Sequence, residues 1–548
     1  MQTPTAPGHG TAEQDTLPQR LAAVAAAYPD NTLYVFHGRR ATYAQFAGRV
    51  DAVAAMLAAQ GVRSTDRVAF LSQNRPEYLE LLFAANRLGA SLVPLNTRFG
   101  VVDLREALKR CGARLVFHSG SFRKHDYTAL LGELSDEPQT GRFTASAALP
   151  ELERCICMDD ESATGYEALV AGAPATVFPL VRQDAVSLMI FTSGTSGFPK
   201  PVMLTQGQLV RNMERIGHWQ GVTHKDCFLS FLSYFHIFGG ALSVLVPFFA
   251  GARIAMLEAF DSQATLRLAQ DERCTVIYSV NPAWRSWLDE PDFDKYDLSS
   301  VRTGICTNNG AAQLGVALKV RERIAPMFSQ FGMTETAGVV ALTRPDDDNA
   351  RAARDSGVAL PGVELGIFEP GTSVRCAPDA EGELRVRGDM VTIGYFRMPE
   401  ETAKAIDAQG WLHTGDRARI DADGRLLILG RLNERLRCGA ENIDPKEVEH
   451  FISTHPAILR CQLVGVPDDR LGEIPVAFVI QRPSPQALDE HALRAFCMGR
   501  IADFKIPRRI FFVDEFPGYD AKVSVYKMKE DAIRRVAADH EKFNGDKR

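Results

Sequence analysis

The stretch from Val68 to Leu95 alternates between strand and helix patterns, and this alternation constrains the fold more than any other feature of the 548-residue chain. Val68–Leu71 and Ser91–Leu95 are short, mainly apolar and bounded by turn residues, which is typical of buried strands. Between them, the residues from Pro76 to Leu88 have the spacing of a helix. A strand, a helix and a second strand in this order predict a β-α-β unit and therefore a largely parallel α/β sheet. More β/α alternation follows up to about residue 320.

Two further segments show how the chain is organised around this sheet. Thr42–Gln45 has the form of a capping box and opens an apolar-periodic run, Phe46–Leu57, that ends at Gly61. This pattern predicts a helix. Residues 119–162 are rich in Ser, Thr, Asp, Glu and Pro, which predicts an irregular surface connection.

The pattern changes between about residues 360 and 430, where short strands alternate with turn signals, as in 382–388 and 422–427. This predicts a small β-rich subdomain that closes the large domain. After Arg431 the chain becomes charged and then starts a fresh unit, with a helix from Pro445, a strand at 462–464 and a helix near 488–499. We therefore predict an N-terminal domain over residues 1–431 and a C-terminal domain over residues 432–548.

Composition narrows the class of protein. Hydrophobic residues make up 45% of the chain, enough for several cores. The 62 basic and 68 acidic residues give a net charge of −6, and no basic block interleaves with aromatic residues, so we expect no nucleic-acid partner. Ten cysteines are scattered without C-x-x-C pairs, which predicts small core residues in a reducing compartment, the cytoplasm.

No segment predicts export or membrane insertion. Met1–Gln19 lacks the basic and apolar regions of a signal peptide and is expected to be a short disordered lead-in. Gly239–Gly251 is the most apolar segment, but it is too short to cross a bilayer and contains Pro247. We expect it to be a buried core element.

Seven of the eleven residues 191–201 are hydroxyl-bearing residues, glycines or Lys200, and the run directly follows the mainly apolar residues 186–190. Glycines allow close backbone approach, successive N–H groups and hydroxyls bind anions, and Lys200 adds a positive charge. The spacing differs from that of a Walker-type loop. The pattern predicts a loop that holds the phosphates of a nucleotide after a strand.

This run resembles the signature T-S-G-T-[TS]-G-x-P-K-G-V of the adenylate-forming superfamily, which contains acyl-CoA synthetases, adenylation domains and luciferases. Further blocks of that superfamily follow in its order, at 331–335, 411–416 and from Gly430 to Ile443. The resemblance spans nearly the whole chain. It implies an α/β fold with a large N-terminal domain of parallel sheets, a small β-rich subdomain and a smaller, mobile α+β C-terminal domain.

The resemblance also implies the reaction. An acyl-CoA ligase of this type converts a carboxylic acid into an acyl-AMP with Mg-ATP, and coenzyme A then expels AMP to give the thioester. In this scheme Thr334 bonds the α-phosphate and Glu335 holds Mg²⁺, whereas a surface acid is the alternative for Glu335. The expected nucleotide and coenzyme A ligands are Thr192, Ser193, Gly194, Thr195, Ser196, Gly197, Lys200, Asn308, Asn309, Gly310, Phe331, Gly332, Met333, Asp416, Arg431 and Gly439.

His236 lies in Ser233–Gly239, which resembles the P-x-x-H-x-x-G block of the superfamily with serine in place of proline. The resemblance implies that His236 acts between the nucleotide and acyl pockets, and a core histidine is the alternative. The small residues at 303–304 favour a bulky or hydrophobic acid. The expected walls of the acyl pocket are Trp219, Phe238, Tyr278, Thr303, Gly304 and Gly338.

The C-terminal domain is expected to pivot between the two half-reactions at Asn433, where the superfamily usually has Asp or Lys. Gly439 matches the glycine that lets the pantetheine arm pass, and a C-cap glycine is the alternative. Lys522 is the best match for the lysine that bridges the carboxylate and the α-phosphate, with Lys527 as the fallback.

Three departures from the superfamily pattern touch adenylation. Pro201 stands where glycine is usual and removes an N–H, 307–310 adds side chains to a glycine-rich turn, and the loop of Lys522 is one residue shorter. One alternative is therefore a member that forms thioesters from supplied acyl-AMP but adenylates weakly. Two others are an enzyme that loads a carrier protein and a non-catalytic acyl-adenylate binder.

Overall fold

The computed structural model of the protein describes residues 15–137, 143–192, 199–306, 314–432, 436–482, 488–514, 531–533 and 535–536. In chain order, the strands are β1 (Thr32–Phe36), β2 (Arg39–Thr42), β3 (Arg67–Leu71), β4 (Ser91–Pro94), β5 (Leu115–His118), β6 (Ser121–Phe122), β7 (His125–Asp126), β8 (Arg154–Cys157), β9 (Val186–Thr192), β10 (Lys200–Thr205), β11 (Cys227–Ser230), β12 (Arg253–Met256), β13 (Val276–Ser279), β14 (Thr303–Cys306), β15 (Gln330–Met333), β16 (Gly338–Leu342), β17 (Val358–Ala359), β18 (Glu364–Phe368), β19 (Gly382–Arg387), β20 (Leu412–Ile420), β21 (Leu426–Arg431), β22 (Leu436–Cys438), β23 (Glu441–Ile443), β24 (Ile458–Asp468), β25 (Gly472–Gln481) and β26 (Arg509–Phe512).

The helices are α1 (Leu17–Ala27), α2 (Tyr43–Ala59), α3 (Pro76–Arg87), α4 (Val101–Cys111), α5 (Tyr127–Gly132), α6 (Tyr166–Ala171), α7 (Gln206–Trp219), α8 (Ser243–Phe249), α9 (Ser262–Asp271), α10 (Asn281–Leu288), α11 (Leu314–Arg323), α12 (Asn349–Ala352), α13 (Pro399–Ala405), α14 (Pro445–Ser453) and α15 (Glu490–Cys497). The described residues of 15–97, 108–191 and 201–432 form one compact unit, and those of 98–107, 192–200 and 436–536 form a second. The domain boundary between residues 431 and 432 stays a prediction.

Two six-stranded sheets form the framework of the first unit. Their orders are β14-β13-β11-β12-β1-β2 and β10-β9-β4-β3-β5-β8. In the second sheet, β3 pairs in parallel with both β4 and β5. The β-α-β unit predicted from Val68 to Leu95 is therefore confirmed, because α3 connects two parallel strands that lie side by side. The predicted capping box is also present, since Thr42 and Gln45 bond each other's backbone N–H at the start of α2.

The β-rich part of the first unit consists of antiparallel strands. The order β18-β19-β20-β21 forms a four-stranded sheet, and β15-β16-β17 forms a three-stranded one. The predicted change to short strands in a small β-rich subdomain between about residues 360 and 430 agrees with these strand bounds. The second unit has its own sheet, β23-β22-β25-β24 with β26 beside β25. Its core includes Val464, Val476 and Phe478.

Two expectations from the sequence are wrong in part. Residues 119–162 were expected to be irregular, but β8 pairs in parallel with β5, and Ile156 of β8 is 1% exposed. The strand is short and lies between polar residues, so the sequence pattern does not predict it. The neighbouring strand β5 supplies its hydrogen-bond partners. The lead-in was expected to extend to Gln19, but α1 starts at Leu17 with Thr16 as its N-cap. Leu17 is fully buried, so tertiary packing stabilises this helix.

The apolar segment Gly239–Gly251 lies within the core, as predicted. Phe238–Leu242 forms a π-helical turn, and α8 follows directly with Pro247 inside it. Within the described part of the chain, no helix combines the length and hydropathy that a membrane crossing requires.

Candidate active site

The turn between β15 and β16 carries Thr334 and Glu335. Met333 pairs with Gly338, residues 334–336 form one turn of 3-10 helix, and Ala337 has a left-handed φ of 49°. The Thr336 hydroxyl accepts from the Met333 N–H at 3.1 Å and donates to the Gly338 carbonyl at 2.7 Å. These bonds close the turn on both sides.

Glu335 is 7% exposed, and its carboxylate is oriented by a residue far away in the sequence. The Tyr395 hydroxyl donates to Glu335 Oε1 at 3.0 Å, and the Thr392 N–H donates to the Glu335 carbonyl at 2.7 Å. The alternative of a surface acid is therefore wrong. Sequence reasoning missed Tyr395, and no local pattern around it indicates a partner 60 residues away.

Asn212 anchors the same turn from α7. It is fully buried, and its side-chain amide donates to the carbonyls of Ala337 and Val339, both at 3.1 Å. The sequence shows only that Asn212 is a polar residue within a helix. Because an amide side chain can be exposed or buried, this does not predict the contact with the turn. The contact appears only when the helix and the hairpin pack together.

Two glycines of this hairpin are required by packing. A Cβ at Gly332 would lie 2.2 Å from the Gly338 carbonyl oxygen. Gly338 has a φ of 98°, and a Cβ there would lie 2.5 Å from Leu242 Cδ1. Gly338, predicted as an acyl-pocket wall, is therefore adjacent to the π-helical turn that begins at Phe238. Phe331 and Met333, on the same strand, are half-buried.

Asp416 and Arg431, the two predicted ribose ligands, are register partners in the antiparallel pair β20·β21. Asp416 is 5% exposed, and its N–H donates to the Thr414 hydroxyl at 3.0 Å. The Thr414 hydroxyl in turn donates to the Leu384 carbonyl at 2.7 Å. The hairpin thus brings together two residues that are 15 positions apart in the sequence.

His236 lies on the connection between β11 and the π-helical turn. It is half-buried, and its ring centroid is 4.5 Å from that of Phe235. Its carbonyl accepts from the Gly240 N–H at 2.7 Å. A Cβ at Gly239 would lie 2.3 Å from the Ser233 carbonyl oxygen, which explains the glycine. Turns of this type occur frequently at functional sites.

The predicted acyl-pocket walls fall into two groups. The Phe238 and Tyr278 rings stack with centroids 5.9 Å apart, and the Tyr278 hydroxyl bonds the side chain of Gln220. Burial raises the pKa of Tyr278 well above its ordinary value. Trp219 is half-buried, and its indole N–H donates to the Thr343 carbonyl at 2.9 Å. These three aromatic side chains therefore pack in or against the core, and Tyr278 is only 1% exposed.

Thr303 and Gly304 were expected to leave room for substrate, but packing requires the glycine. A Cβ at Gly304 would lie 1.9 Å from the Ile277 carbonyl oxygen of β13. The close approach of β13 and β14 therefore accounts for Gly304. Thr303 is 6% exposed at the start of β14.

Lys200 begins β10 and is 6% exposed, and Thr192 ends β9. Pro201, the departure from the superfamily glycine, also lies in β10, which is the edge strand of its sheet. The Pro201 carbonyl accepts from the Phe396 N–H at 2.9 Å. An edge strand is where a proline without an N–H fits best.

Gly439 has a φ of 66° and, with Ala440, forms the two-residue turn between β22 and β23. Positive φ at the first position of such a turn favours glycine. A Cβ there would meet only Leu471 Cδ2, at 3.6 Å. The expected alternative of a C-cap glycine is wrong, because Gly439 follows a strand. The remaining predicted residues lie outside the described residues: Ser193, Gly194, Thr195, Ser196, Gly197, Asn308, Asn309, Gly310, Asn433 and Lys522.

Comparison with known proteins identifies relatives over nearly the whole chain. Residues 21–396 match a family model described as AMP-binding enzyme, and residues 447–519 match one described as AMP-binding enzyme C-terminal domain. A methyl-dioxo-octahydroindenyl propanoyl:CoA ligase from Rhodococcus jostii (strain RHA1) is 35% identical over 514 residues, which are 92% of this chain and 96% of that protein. A mitochondrial medium-chain acyl-CoA ligase from Danio rerio is 31% identical over 540 residues, 94% of this chain and 88% of that protein.

The solved structures include a double mutant of o-succinylbenzoate CoA synthetase from Bacillus subtilis, bound to a product analogue. It is 25% identical to this chain with a TM-score of 0.81, and the match covers 93% of this chain and 98% of that one. The shared fold therefore extends over both family regions.

Proposed function

We propose catalytic and binding roles for the residues of this chain, which belongs to the AMP-binding enzyme family and is an acyl-CoA ligase. The enzyme converts a carboxylic acid, through an acyl-AMP intermediate, into an acyl-CoA thioester with AMP as the leaving group. The similarity to CoA ligases that are 31–35% identical over more than 90% of this chain is the observation that carries the activity. The residue roles below are our proposals.

In the first half-reaction, a carboxylate oxygen attacks the α-phosphorus of ATP, and pyrophosphate leaves. Such a transfer depends mainly on positioning and charge neutralisation. We assign the α-phosphate to the Thr334 hydroxyl and the β- and γ-phosphates to the loop 192–200, with Lys200 as its cation. Lys522 would contact the carboxylate and the α-phosphate together. The hydrogen-bonded turn at 334–336 supports the assignment of Thr334, because it holds the backbone that carries this residue.

Glu335 is the residue that we propose to hold Mg²⁺. A buried carboxylate suits this hard cation, and the Tyr395 hydroxyl fixes its orientation. Among the described residues, no cluster of three or more His, Cys, Asp or Glu side chains could hold a metal on its own. Phosphate oxygens would therefore have to complete the coordination. The cation would neutralise charge on the phosphates.

Asp416 would accept hydrogen bonds from the ribose hydroxyls, and Arg431 would contact the same sugar. Their pairing across β20 and β21 supports this assignment, because both residues emerge at one point of the hairpin. A carboxylate that is 5% exposed also binds a diol more strongly than one that competes with water. Phe331, Gly332 and Met333 would contact the base and sugar from the neighbouring hairpin.

In the second half-reaction, the coenzyme A thiol attacks the acyl carbonyl, and AMP leaves with the C–O bond electrons. Gly439 would lie along the pantetheine arm, since a glycine presents no side chain to it. His236 would separate the nucleotide from the acyl group. Asn433 would be the pivot between the two half-reactions.

The substrate that we propose is a hydrophobic carboxylic acid with a medium-length chain or a ring system. The stacked Phe238 and Tyr278 rings and the adjacent Trp219 support an apolar pocket. The related ligases named above act on a medium-chain acid and on a methyl-dioxo-octahydroindenyl propanoate, which are both largely apolar.

A panel of acids tests this proposal. Purified enzyme, ATP, Mg²⁺ and coenzyme A are incubated with short, medium-chain, long-chain and ring-bearing acids, and the thioesters are measured by mass spectrometry. Medium-chain or ring-bearing acids should give the highest kcat/KM. Preference for acetate or for a dicarboxylic acid would contradict the apolar pocket without contradicting the ligase activity.

The alternatives of weak adenylation, carrier loading and non-catalytic binding are not favoured by the relatives, which are named as CoA ligases. Of the three departures, Pro201 lies in the edge strand β10, and residues 307–310 and the loop of Lys522 lie outside the described residues. Pyrophosphate exchange dependent on the acid should therefore be robust. Coenzyme A should be accepted in preference to a free acyl-carrier protein.

We propose that the enzyme works in the cytoplasm and needs only small-molecule partners, the acid, ATP and coenzyme A. All ten cysteines are free thiols, which suits a reducing compartment. The net charge of −6 gives no reason to expect a nucleic acid. Fractionation of cells that express a tagged chain would test the compartment.

A further inference from the structure

Two buried cysteines meet where β11 begins and where β13 is about to begin. The Cys227 and Cys274 sulfurs are 3.8 Å apart, and the residues are 3% and 0% exposed. They are 47 positions apart in the sequence. The Thr275 N–H donates to the Cys227 carbonyl at 2.8 Å, and the Cys227 N–H donates to the Thr275 hydroxyl at 3.0 Å. Neighbouring parallel strands thus hold the two thiols in contact.

A cation lies against one of the two sulfurs. Arg253 Nε donates to Cys227 Sγ at 3.3 Å, and the same guanidinium donates to the Glu272 carbonyl at 2.6 Å. The hydrogen bond with Cys274 and the charge of Arg253 lower the pKa of Cys227, against the opposing effects of burial and of the Glu272 carboxylate. The pKa of Cys274 is raised. The contacts therefore favour the thiolate on Cys227 and the thiol on Cys274.

The other eight cysteines lack this chemistry. All ten cysteines lie within the described residues, and Cys227 is the one whose pKa is lowered. Burial raises the pKa of each of the others, which are Cys111, Cys155, Cys157, Cys306, Cys376, Cys438, Cys461 and Cys497. Thiolate character therefore favours oxidation at the Cys227 pair. Because both sulfurs are buried, peroxide reaches them when the ends of these strands open locally.

An ion pair fixes the backbone on both sides of the two thiols. Arg302 donates to both oxygens of Asp226, at 2.8 and 2.7 Å, and the Thr275 hydroxyl donates to Asp226 at 2.7 Å. Asp226 directly precedes Cys227, and Thr275 directly follows Cys274. Side-chain rotation alone must therefore bring the sulfurs from 3.8 Å to the bonding distance of about 2.05 Å.

We propose that Cys227 and Cys274 form an oxidisable dithiol, which a small peroxide converts into an intramolecular disulfide. The Cys227 thiolate attacks one oxygen of hydrogen peroxide, the O–O bond breaks, and hydroxide leaves. Cys227 is then a sulfenic acid. The Cys274 sulfur attacks the Cys227 sulfur, the S–S bond forms, and water leaves with the Cys274 proton. In total, two thiols and one peroxide give one disulfide and two waters.

The disulfide would staple β11 to β13 at their N-terminal ends. β11 leads to the connection that carries His236, and β13 carries Tyr278. The modification would thus lock the part of the sheet beneath the proposed acyl pocket, and a thiol reductant would reverse it. This inference is independent of the ligase activity, because it concerns thiols that the reaction does not use.

Peptide mapping tests the proposal. The full-length protein is treated with a few equivalents of hydrogen peroxide at about pH 7.5, where the Cys227 thiolate is abundant. After catalase treatment, free thiols are blocked with N-ethylmaleimide in denaturant, and the protein is digested with trypsin. Cys227 and Cys274 are each the single cysteine of their tryptic peptides, Asp226–Arg253 and Cys274–Arg285. The expected product is these two peptides joined, with a mass two hydrogens below their sum, and dithiothreitol should separate them.

Three variants make the result decisive. In Cys274→Ser, which keeps a hydrogen-bond donor beside Cys227 but removes the second sulfur, Cys227 should stop at the sulfenic acid and react with dimedone. In Arg253→Gln, the oxidation of Cys227 should slow about tenfold, because the cation that favours the thiolate is absent. Cys497→Ala is the matched control and should form the disulfide as the wild type does. Two results would overturn the proposal. In one, the Cys227 and Cys274 peptides both carry N-ethylmaleimide while another cysteine is oxidised. In the other, Cys227 or Cys274 forms a disulfide with a different cysteine.

Discussion

At the scale of single residues, the hairpin turn from Met333 to Gly338 contains both a proposed ligand-binding side chain and the residues that position it. Glu335 presents a buried carboxylate, and Thr336 and Asn212 fix the backbone that carries it. None of the fixing groups needs to touch a substrate. Substitutions can therefore separate the group that binds from the groups that position it.

Replacing Glu335 with Gln should impair adenylation strongly, because the amide is neutral and cannot neutralise Mg²⁺. We expect kcat/KM for the acid to fall by about 100-fold or more, comparable with loss of one electrostatic contact in an active site. Tyr395→Phe is the matched control, since it removes the hydroxyl that orients Glu335 but keeps the carboxylate. It should cost less, and higher Mg²⁺ should restore part of its activity. Equal losses in both variants would contradict a metal-binding role.

Two features favour glycine at position 439. One is the backbone φ of 66°, and the other is the proposed path of the pantetheine arm. Gly439→Leu should abolish thioester formation and leave acyl-AMP binding nearly unchanged. Gly499→Leu is the matched control, because Gly499 also has a positive φ, of 70°, and no atom within 4 Å of an added Cβ. It introduces the same kind of backbone strain in open space. If both variants lose thioester formation alike, backbone strain explains the effect and the pantetheine role is wrong.

At the scale of elements, the position of a strand in its sheet decides whether a proline in that strand is tolerated. Pro201 departs from the superfamily signature, yet it lies in the edge strand β10, and its carbonyl is bonded to the Phe396 N–H. The same residue in a central strand would remove a ladder hydrogen bond. The position of the strand in the sheet, rather than the motif, therefore indicates that proline is tolerated.

Pro201→Gly should leave acid-dependent pyrophosphate exchange within about threefold of the wild type, because the Pro201 carbonyl already bonds the Phe396 N–H and holds this strand in place. The free energy of unfolding should fall by about 0.5–1 kcal/mol, since glycine increases the conformational entropy of the unfolded chain. Exchange kinetics and urea unfolding measure the two effects. A large gain in exchange would show that proline limits adenylation.

The start of α14 contributes a pH-dependent interaction within the second unit. Lys505 donates to Glu447 at 2.5 Å and to Asp103 at 3.0 Å, and all three residues are less than 9% exposed. Burial, opposed by the charge of Lys505 and reinforced by Asp103 and Asp444, raises the pKa of Glu447 from 4.5 to about 7. The folded protein therefore binds this proton more tightly than the unfolded chain.

The proton on Glu447 stabilises the fold fully below about pH 4.5, and this contribution is lost as the pH rises through about 7. This proton contributes about 3 kcal/mol to the free energy of unfolding. Glu447→Gln should remove this part of the slope of unfolding free energy between about pH 5 and 7.5. Glu449→Gln, on the same helix, leaves the Lys505 cluster intact and should keep the wild-type slope. Urea titrations at several pH values measure both, and an unchanged slope in Glu447→Gln would contradict this assignment.

At the scale of the whole molecule, the two half-reactions are expected to use different parts of the chain. The residues assigned to the ribose and to Mg²⁺ lie in the first unit, and Gly439 lies in the second. The proposed lysine of adenylation, Lys522, follows far along the chain. A substitution of that lysine should therefore affect one half-reaction and spare the other.

Lys522→Ala should lower pyrophosphate exchange by about 100-fold, because it removes a cation from the transition state. Conversion of supplied acyl-AMP and coenzyme A into thioester should remain within about threefold, since that step does not need this lysine. Lys527→Ala is the matched control and should retain both activities. If Lys527→Ala loses exchange instead, the roles of the two lysines are reversed. Loss of both half-reactions in Lys522→Ala would contradict the division of labour.

The sequence by itself determined the elements whose signals are local. The period of the apolar residues predicts α2, α3 and the strands around them, and the capping box at Thr42 marks the helix start, because these patterns depend on neighbours three or four positions away. The motifs at 331–335 and 411–416 likewise predict which residues carry chemistry. The ligase activity expected from them is confirmed by family membership.

Tertiary structure alone decided the contacts between distant segments. Tyr395 on Glu335, Asn212 beneath the turn, the pairing of β8 with β5 and the contact of Cys227 with Cys274 join residues that no local period connects. The same is true of Gly304, which looks like space for a substrate in the sequence and is required by the Ile277 carbonyl in the fold. The reason is physical: periodicity records which face of an element is apolar, whereas packing decides what that face meets.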